Sequence, residues 1–335
     1  MLKYFYFSGA IAAAGIISSY CYAGIRGIAI AAILCVMEIS LSFDNAIINA
    51  SVLKNMSKKW RIRFLLWGIL IAVFGVRLLL PIVLVSFSTH LSLLDVVHLA
   101  LDEPVIYSKH LISAHASISA FGGMFLLMVF LNFILDYKRD VHWLGVLERK
   151  VAQIGILESV PVVFGLAILL AIQSFAEPVK QSTILTSGLY GMVTYIVIHG
   201  IAKYMNQRFM NVSANEVHKS GFISFLYLEV LDASFSFDGV IGAFAITKDI
   251  VIIMIGLGVG AFFVRSITIF LVERKTLQNY IYLEHGAHYA LGALSLIMLI
   301  GIFHHIPEAL IGGLGFVLIL LSYYSSVRFL RKNGR

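Results

Sequence analysis

The sequence contains the acidic stretch Glu38-Ile-Ser-Leu-Ser-Phe-Asp44-Asn45-Ala-Ile47 and, 194 positions later, the near copy Asp232-Ala-Ser-Phe-Ser-Phe-Asp238-Gly239-Val-Ile241. Five of the ten positions are identical, and a sixth exchanges one carboxylate for the other. Both copies lie inside long apolar segments, where a carboxylate is costly and usually functional. A repeated acidic motif inside a membrane indicates a pathway for a cation.

The composition around these motifs is that of a membrane protein. Of the 335 residues, 60% are hydrophobic and only 13% are charged, whereas soluble domains carry about 25% charged residues. Apolar runs of about 20 residues, long enough to cross a bilayer as helices, recur along the chain. We therefore predict an all-α, polytopic membrane helix bundle with ten transmembrane helices, at about 4–24, 27–53, 64–89, 110–135, 154–175, 184–205, 221–247, 249–271, 280–303 and 308–330.

The distribution of basic residues predicts the topology. One side of the predicted bundle, which holds both termini, has 19 of the 25 lysines and arginines, so the positive-inside rule makes both termini cytoplasmic. The net charge of +7 is then a topology signal, and no nucleic-acid partner is expected. The first apolar run resembles a signal peptide, but we expect it to be retained because its removal would break the symmetry described next.

The repeat extends beyond the acidic motif. Arg77 follows Gly68 by nine positions, as Arg265 follows Gly256. We therefore predict two halves of one membrane domain, residues 1–182 and 183–335, each with five spans. An odd number of spans places the second half upside down, and inverted repeats around a mid-membrane site are typical of secondary transporters.

Helix geometry limits how the acidic residues can meet. Six residues advance a helix by about 9 Å and rotate it by about 240°, so Glu38 and Asp44 do not share a face. Either the helix unwinds around residues 42–43, or each carboxylate meets a partner in the other copy. Inversion suggests two pairs across the midplane, Glu38 with Asp238 and Asp44 with Asp232.

The candidate ligands are all oxygen donors. They are Glu38, Asp44, Asp232 and Asp238 with Asn45, Ser42 and Ser236. Such a set suits Mn²⁺, Mg²⁺ or Ca²⁺ better than Zn²⁺ or Cu⁺. Arg77 and Arg265 are expected as gating or counter-ion residues, and four carboxylates with two arginines leave a charge of −2, which matches one divalent ion. That count leaves Glu229 aside, and the alternative is that the carboxylates only pair with the arginines to lock helices together.

A possible proton relay for antiport consists of His115, His285, His288 and Glu284, because histidine titrates near neutrality. Hydrogen bonding between helices is the alternative role. Cys21 and Cys35 both fall in apolar spans and form no disulfide or metal-binding pattern.

The two motifs resemble the paired Asp motifs of TerC-type membrane proteins. Two further stretches are more similar to an uncharacterised bacterial branch allied to TerC, namely Phe121-Gly-Gly-Met-Phe-Leu-Leu and Tyr282-Leu-Glu-His-Gly-Ala-His288. The resemblance spans about residues 27–330 and implies the LysE-like exporter superfamily, Mn²⁺ export and, from the family name, tellurium resistance. It implies ion-binding roles for Asp44, Asn45 and Asp238, whereas Gly239 departs from the serine typical of the second motif.

These observations predict a secondary transporter of the bacterial inner membrane that exports a divalent cation, with Mn²⁺ favoured, by alternating access. No resident cofactor and no enzymatic activity are expected, and the partners are the lipid bilayer and the metal ion; the oligomeric state is left open. One alternative is export of an amino acid or a tellurium-type oxyanion bound by Arg77 and Arg265. The other is a non-transport membrane scaffold in metal or tellurite stress.

Overall fold

The computed structural model describes residues 4–54, 56–68, 70–89, 91–157, 159–209, 214–247, 249–274, 276–304 and 306–332. Within these ranges the side chains of some helical residues, among them 205–220 and 235–238, lie outside the description. Two of the predicted ligands, Ser236 and Asp238, belong to that group, so their side chains are not described.

The described residues form α-helices, two π-helical segments (π1 and π2) and no strand. In chain order they are α1 (Tyr6–Leu41), α2 (Phe43–Leu53), α3 (Lys58–Arg63), π1 (Phe64–Gly68), π2 (Ile71–Leu79), α4 (Leu80–Thr89), α5 (Leu93–Asp102), α6 (Pro104–Ser113), α7 (His115–Ile134), α8 (Val146–Ile154), α9 (Val160–Phe175), α10 (Pro178–Phe209), α11 (Ala214–Ile246), α12 (Ile250–Glu273), α13 (Thr276–Asn279), α14 (Leu283–Gly301) and α15 (Glu308–Lys332). The predicted all-α class is confirmed.

Six stretches among the described residues are helical, long and apolar enough to cross a membrane. They are Tyr6–Leu41, His115–Ile134, Pro178–Ile201, Ile250–Glu273, Leu283–Gly301 and Gly313–Lys332, and α9 is a shorter apolar helix. The chain is thus a multi-pass membrane protein. The ten predicted spans all coincide with helices over most of their length, but several are divided: the third comprises π1, π2 and α4.

Helix α1 is two arms joined at a break. Ala23 (φ −136°, ψ 18°) and Gly24 (φ 61°, ψ −152°) depart from helical geometry, and the positive φ of Gly24 is one that glycine adopts without a Cβ penalty. A Cβ on Gly27 would lie 2.6 Å from the carbonyl oxygen of Ser19. Residues eight apart in a straight helix are about 12 Å apart, so the chain reverses here.

The two arms run in opposite directions along α12. In the first arm, the Ser8 hydroxyl lies 3.0 Å from that of Ser266. In the second arm, Gly27 lies beside Ile252 and Glu38 lies beside Gly260, so this arm runs parallel to α12. The first two predicted spans are therefore separate segments that share one partner helix, and the second arm positions Glu38 in the interior.

Packing inside the bundle separates a core from an outer surface. The largest buried cluster contains Phe125 and Met128 of α7 and Leu291 of α14, all nearly inaccessible. Outer helices instead expose large apolar side chains, such as Phe175, which is 80% exposed. In a multi-pass membrane protein this apolar exterior faces lipid, so the interior is where polar side chains have to be explained.

Candidate functional site

The first acidic motif lies at a one-residue interruption between α1 and α2. Ser42 has non-helical backbone angles (φ −100°, ψ 12°), but its N–H still donates to Glu38 O at 2.9 Å, and Ala46 N–H donates to Ser42 O at 3.1 Å. The Ser42 hydroxyl donates to Glu38 Oε1 at 2.7 Å. The expected unwinding at Ser42 is therefore a local distortion, and it turns the serine hydroxyl onto the carboxylate.

Glu38 forms a buried ion pair with Arg77. The guanidinium Nη2 donates to Glu38 Oε1 at 2.5 Å, and the two side chains are 1% and 3% exposed. Arg77 lies on π2, and π-helical turns occur often at functional sites. Two charges out of water are costly unless well paired, so this pair fixes π2 against the second arm of α1.

The two copies of the motif cross each other in opposite directions. Asn45 donates its side-chain amide to Asp232 Oδ1 at 2.6 Å. Glu38 Oε2 lies 3.1 Å from the position that a Cβ would occupy on Gly239. In each contact the first residue of one copy meets the eighth residue of the other, so the two contacts are equivalent under exchange of the copies.

One of the two predicted pairs differs from the structure by one residue, because Asn45 rather than Asp44 meets Asp232. Glu38 lies beside Gly239, and its predicted pairing with Asp238 stays a prediction, since the side chain of Asp238 lies outside the description. One residue rotates a helix by about 100°, so α2 directs Asn45 at α11 and directs Asp44 elsewhere.

Asp44 occupies a separate small cavity. It is 6% exposed, accepts a hydrogen bond from the N–H of Asn45 at 2.9 Å, and lines a space of about 10 Å³ with Ala290 and Gly315. That volume holds about one water molecule. Within the described residues no basic side chain pairs with Asp44, so α14 and α15 rather than α11 complete its surroundings.

A cavity with several polar lining residues adjoins the crossing. It has a volume of about 40 Å³, and its polar lining residues are Ser42, Asn49, Arg77, Glu229, Asp232, Arg265 and Thr268. Several lining oxygens have no hydrogen-bond partner among the described residues, namely both carboxylate oxygens of Glu229, Oδ2 of Asp232 and Oδ1 of Asn49. The cavity therefore presents unpaired oxygen acceptors from three side chains.

Arg265 faces the same cavity without an acidic partner. In the described part of the chain it forms no ion pair, its Nε has no hydrogen-bond acceptor, and its guanidinium lies 6.0 Å from the centre of the Phe7 ring. The sequence analysis gave Arg77 and Arg265 the same role, whereas in the structure Arg77 pairs with Glu38 and Arg265 pairs with no described acidic side chain.

A comparison with known protein families shows to which family the chain belongs. Residues 43–333 match the model of a family described as Protein of unknown function (DUF475). The chain belongs to this family. No curated protein and no solved structure matches it. The DUF475 region contains Asp44, Asn49, Arg77, Glu229 and the whole second motif, and it begins five residues after Glu38.

Two predicted relay residues of this DUF475 chain, His285 and His288, lie at the start of α14. His285 Nε2 is 2.9 Å from Val141 O and 3.5 Å from Glu148 Oε1. The His288 ring stacks on Phe133 with centroids 3.6 Å apart. These contacts hold α14 against the end of α7 and the loop that follows.

Glu284 begins the same turn and pairs with Lys54 at 2.7 Å. Arg139 lies near this pair with its guanidinium 3.3 Å from the Phe133 ring centre, and burial lowers its pKa from the ordinary value. Segments after α2 and after α7 therefore meet at the start of α14, at one end of the bundle.

His115 does not join this group. It is the first residue of α7, and its ring Nε2 is hydrogen-bonded to the Ser119 hydroxyl at 3.1 Å. It lies beside Gly301, at the opposite end of α14 from His285. Sixteen helical residues separate Gly301 from His285, a distance of about 24 Å. Because α7 and α14 run antiparallel, His115 lies at the opposite end of this helix pair from His285 and His288, and a role for these residues in proton transfer stays a prediction.

The sequence analysis missed Glu229 and Asn49 as cavity residues. Glu229 precedes Asp232 by three positions, a spacing that puts both on one helix face, and Asn49 follows Asn45 by four. The described side chains contain no group of three or more His, Cys, Asp or Glu residues that could hold a metal ion. Any ion in the cavity would thus be bound by two carboxylates supplemented by neutral oxygens.

Proposed function

We propose that the chain is built as two inverted halves, residues 1–182 and 183–335, with ten transmembrane segments. The equivalence of the Asn45–Asp232 and Glu38–Gly239 contacts supports this architecture, since a two-fold relation between the copies requires each contact to occur twice. The two arms of α1 support it as well. Tyr6–Leu41 counts as one of the six long apolar stretches, but its two arms run in opposite directions and so correspond to the first and the second predicted span.

On this architecture the protein works as a secondary transporter that exports a divalent metal cation by alternating access. The observation that carries the proposal is the surplus of buried carboxylates at the crossing. Three acidic side chains, those of Glu38, Glu229 and Asp232, lie around two arginines, and Asp44 lies in a separate cavity without a basic partner among the described residues. Carboxylates therefore outnumber arginines at the crossing, and buried charge of this kind has to be compensated, which a bound divalent cation would do.

The ligand chemistry favours Mn²⁺, with Mg²⁺ and Ca²⁺ as further candidates. The oxygens at the crossing come from carboxylates, amides and hydroxyls, which hard or borderline divalent ions prefer. The resemblance to TerC-type proteins points to the same class of ion and to a role in tellurium resistance. The protein acts as a transporter rather than as an enzyme.

The proposed location is the bacterial inner membrane with both termini in the cytoplasm. Four charged residues cluster at one end of the bundle, namely Lys54, Arg139, Glu148 and Glu284. They belong to loops or helix ends that the charge distribution assigns to the cytoplasmic side. That grouping supports the predicted topology.

A flux measurement tests the proposal. Purified protein reconstituted into liposomes, with a trapped dye whose fluorescence Mn²⁺ quenches, is expected to admit Mn²⁺ faster than protein-free liposomes do. Flux should depend on an ion gradient or a membrane potential. Protein-containing liposomes that pass none of Mn²⁺, Mg²⁺ and Ca²⁺ faster than empty ones would show that the proposal is wrong and would favour a scaffold.

One observation favours a second candidate function. Arg265 lines the cavity and lacks an acidic partner among the described residues, so its guanidinium is available to a carboxylate or an oxyanion. Export of an amino acid or a tellurium-type oxyanion would use this group, and the same liposomes loaded with radiolabelled amino acids or tellurite test it.

A further inference from the structure

The polar cavity extends from the motif crossing toward one side of it, where Asn49 and Glu229 line it. Asn49 is seven residues past Ser42 on α2, and Glu229 is three residues before Asp232 on α11. The two copies run in opposite directions, so a residue after the first copy and a residue before the second lie on the same side of the crossing. Lys54 follows Asn49 by five residues, which makes this the cytoplasmic side in the proposed topology.

On the other side of the crossing, the described residues at the positions equivalent to Glu229 and Asn49 are not polar cavity residues. A shift of 194 positions relates the two motif copies. By this shift, Cys35 is the residue equivalent to Glu229, and Ala243 is the residue equivalent to Asn49. Ala243 is fully buried and packs with Phe244 and Leu34 in an apolar cluster. The repeat therefore does not require a carboxylate at position 229 or an amide at position 49, because the equivalent positions hold Cys35 and Ala243.

Glu229 has the burial and the unpaired oxygens expected of a cation ligand. It is 8% exposed, it lines the cavity, and neither carboxylate oxygen has a hydrogen-bond partner among the described residues. A Cβ on Gly68 would lie 2.7 Å from Glu229 Oε1, so glycine at position 68 leaves room for this carboxylate. A buried polar group without a partner costs free energy, and a bound cation would offset that cost.

Two more unpaired oxygens complete the lining. Asp232 Oδ1 accepts from Asn45, which leaves Oδ2 without a partner, and Asn49, 4% exposed, presents an unpaired Oδ1. The cavity volume of about 40 Å³ is room for about three water-sized groups. Such a space suits an ion that keeps part of its water, as Mg²⁺-like ions do when one or two carboxylates bind them.

We infer that Glu229, Asp232 and Asn49 form a binding site for a partly hydrated divalent cation on the cytoplasmic side of the crossing, where the cation is taken up before it passes between the motifs. The inference rests on the proposed function and adds Glu229 and Asn49 to the residues that contact the ion. It also makes the two sides of the crossing unequal, with a loading site on the cytoplasmic side and apolar packing around Ala243 on the other.

Titration of the purified full-length protein in lipid nanodiscs with Mn²⁺, followed by isothermal calorimetry, tests the inference. The wild type is expected to bind Mn²⁺, and Glu229→Gln is expected to weaken binding by about tenfold or more, since affinity at oxygen sites follows the number of charged ligands. Glu103→Gln is the control, because Glu103 is exposed and its loss also removes one negative charge.

A compensating variant separates a ligand role from a structural one. Glu229→Gln combined with Asn49→Asp keeps two carboxylates in the cavity and should regain most of the lost affinity. Asn49→Asp alone should bind Mn²⁺ more tightly than the wild type, and it serves as the test if Glu229→Gln does not fold.

The outcomes distinguish this inference from the proposed function. Wild-type binding of Mn²⁺ that neither Glu229→Gln nor Asn49→Asp alters would overturn the inference and leave the transport proposal standing. A wild type that binds none of Mn²⁺, Mg²⁺ and Ca²⁺ would overturn both.

Discussion

Asn45 and Asp232 are 187 residues apart in sequence, and the Asn45 amide donates to Asp232 Oδ1 at 2.6 Å. The contact joins α2 to α11 and brings the two copies of the acidic motif together. Its counterpart is the approach of Glu38 to Gly239. Because Gly239 has no side chain, the Glu38 carboxylate can lie against the α11 backbone, whereas a serine there, typical of TerC-type motifs, would have to share that space.

We expect Asn45→Ala to destabilise the protein by about 1–3 kcal/mol, because Asp232 would lose a hydrogen bond inside the bundle. Thermal unfolding in detergent, followed by intrinsic fluorescence, measures the change. Asn132→Ala is the matched control, since the Asn132 amide donates only to Met128 O in its own helix, at 2.9 Å. Equal losses in the two variants would contradict a special role for the contact between the motifs.

The register of the crossing can be tested by disulfide formation. In a background with Cys21→Ser and Cys35→Ala, cysteines at positions 45 and 232 are expected to crosslink on oxidation. Cysteines at 44 and 232 should crosslink much less, because about 100° of helix rotation separates neighbouring residues. Gel mobility after oxidation gives the result, and preferential crosslinking of the 44–232 pair would favour the originally predicted pairing.

Removal of one member of the Glu38–Arg77 pair should cost more than removal of both. Arg77→Met leaves the Glu38 carboxylate buried and unpaired, which typically costs about 3–5 kcal/mol. Adding Glu38→Gln should restore part of that stability. Thermal unfolding of the two single variants and the double variant forms a cycle, and strictly additive losses would mean that the pair is not coupled.

Neutralisation of Asp44 should abolish metal flux while protein level and folding persist. Asp44 has no basic partner among the described residues, so Asp44→Asn removes charge without breaking an ion pair. The measurement is Mn²⁺ flux in liposomes together with cellular Mn²⁺ content. Asp140→Asn, at an exposed site, is the control, and normal flux through Asp44→Asn would refute a transport role for this residue.

Charge reversal at Arg265 separates the two candidate substrates. Arg265→Glu adds a carboxylate to the cavity, so a cation should still bind and cross, whereas an oxyanion or an amino-acid carboxylate would be repelled. Parallel flux assays with Mn²⁺ and with tellurite provide the comparison. The anion exporter would be favoured if Arg265→Glu lost the tellurite flux of the wild type and neither the wild type nor the variant transported Mn²⁺.

Several features could be predicted from the sequence because they depend on composition or on local spacing. Apolar run length predicted a helical membrane protein, and the duplicated motif indicated that distant segments such as 38–47 and 232–241 meet. A distortion near Ser42 was one of two alternatives that the sequence left open, since two carboxylates six residues apart cannot share a helix face. Each of these inferences needs only the helix repeat and the cost of placing charge in lipid.

Only the tertiary structure decided which side chains meet. Sequence spacing could not place the rotation of α2 to better than one residue, and that single step directs Asn45 rather than Asp44 at Asp232. It could not show that Glu229 lines the same cavity as Asn49. The apolar exterior of a membrane helix and its buried face have similar composition, so only packing between helices reveals which polar residue points inward.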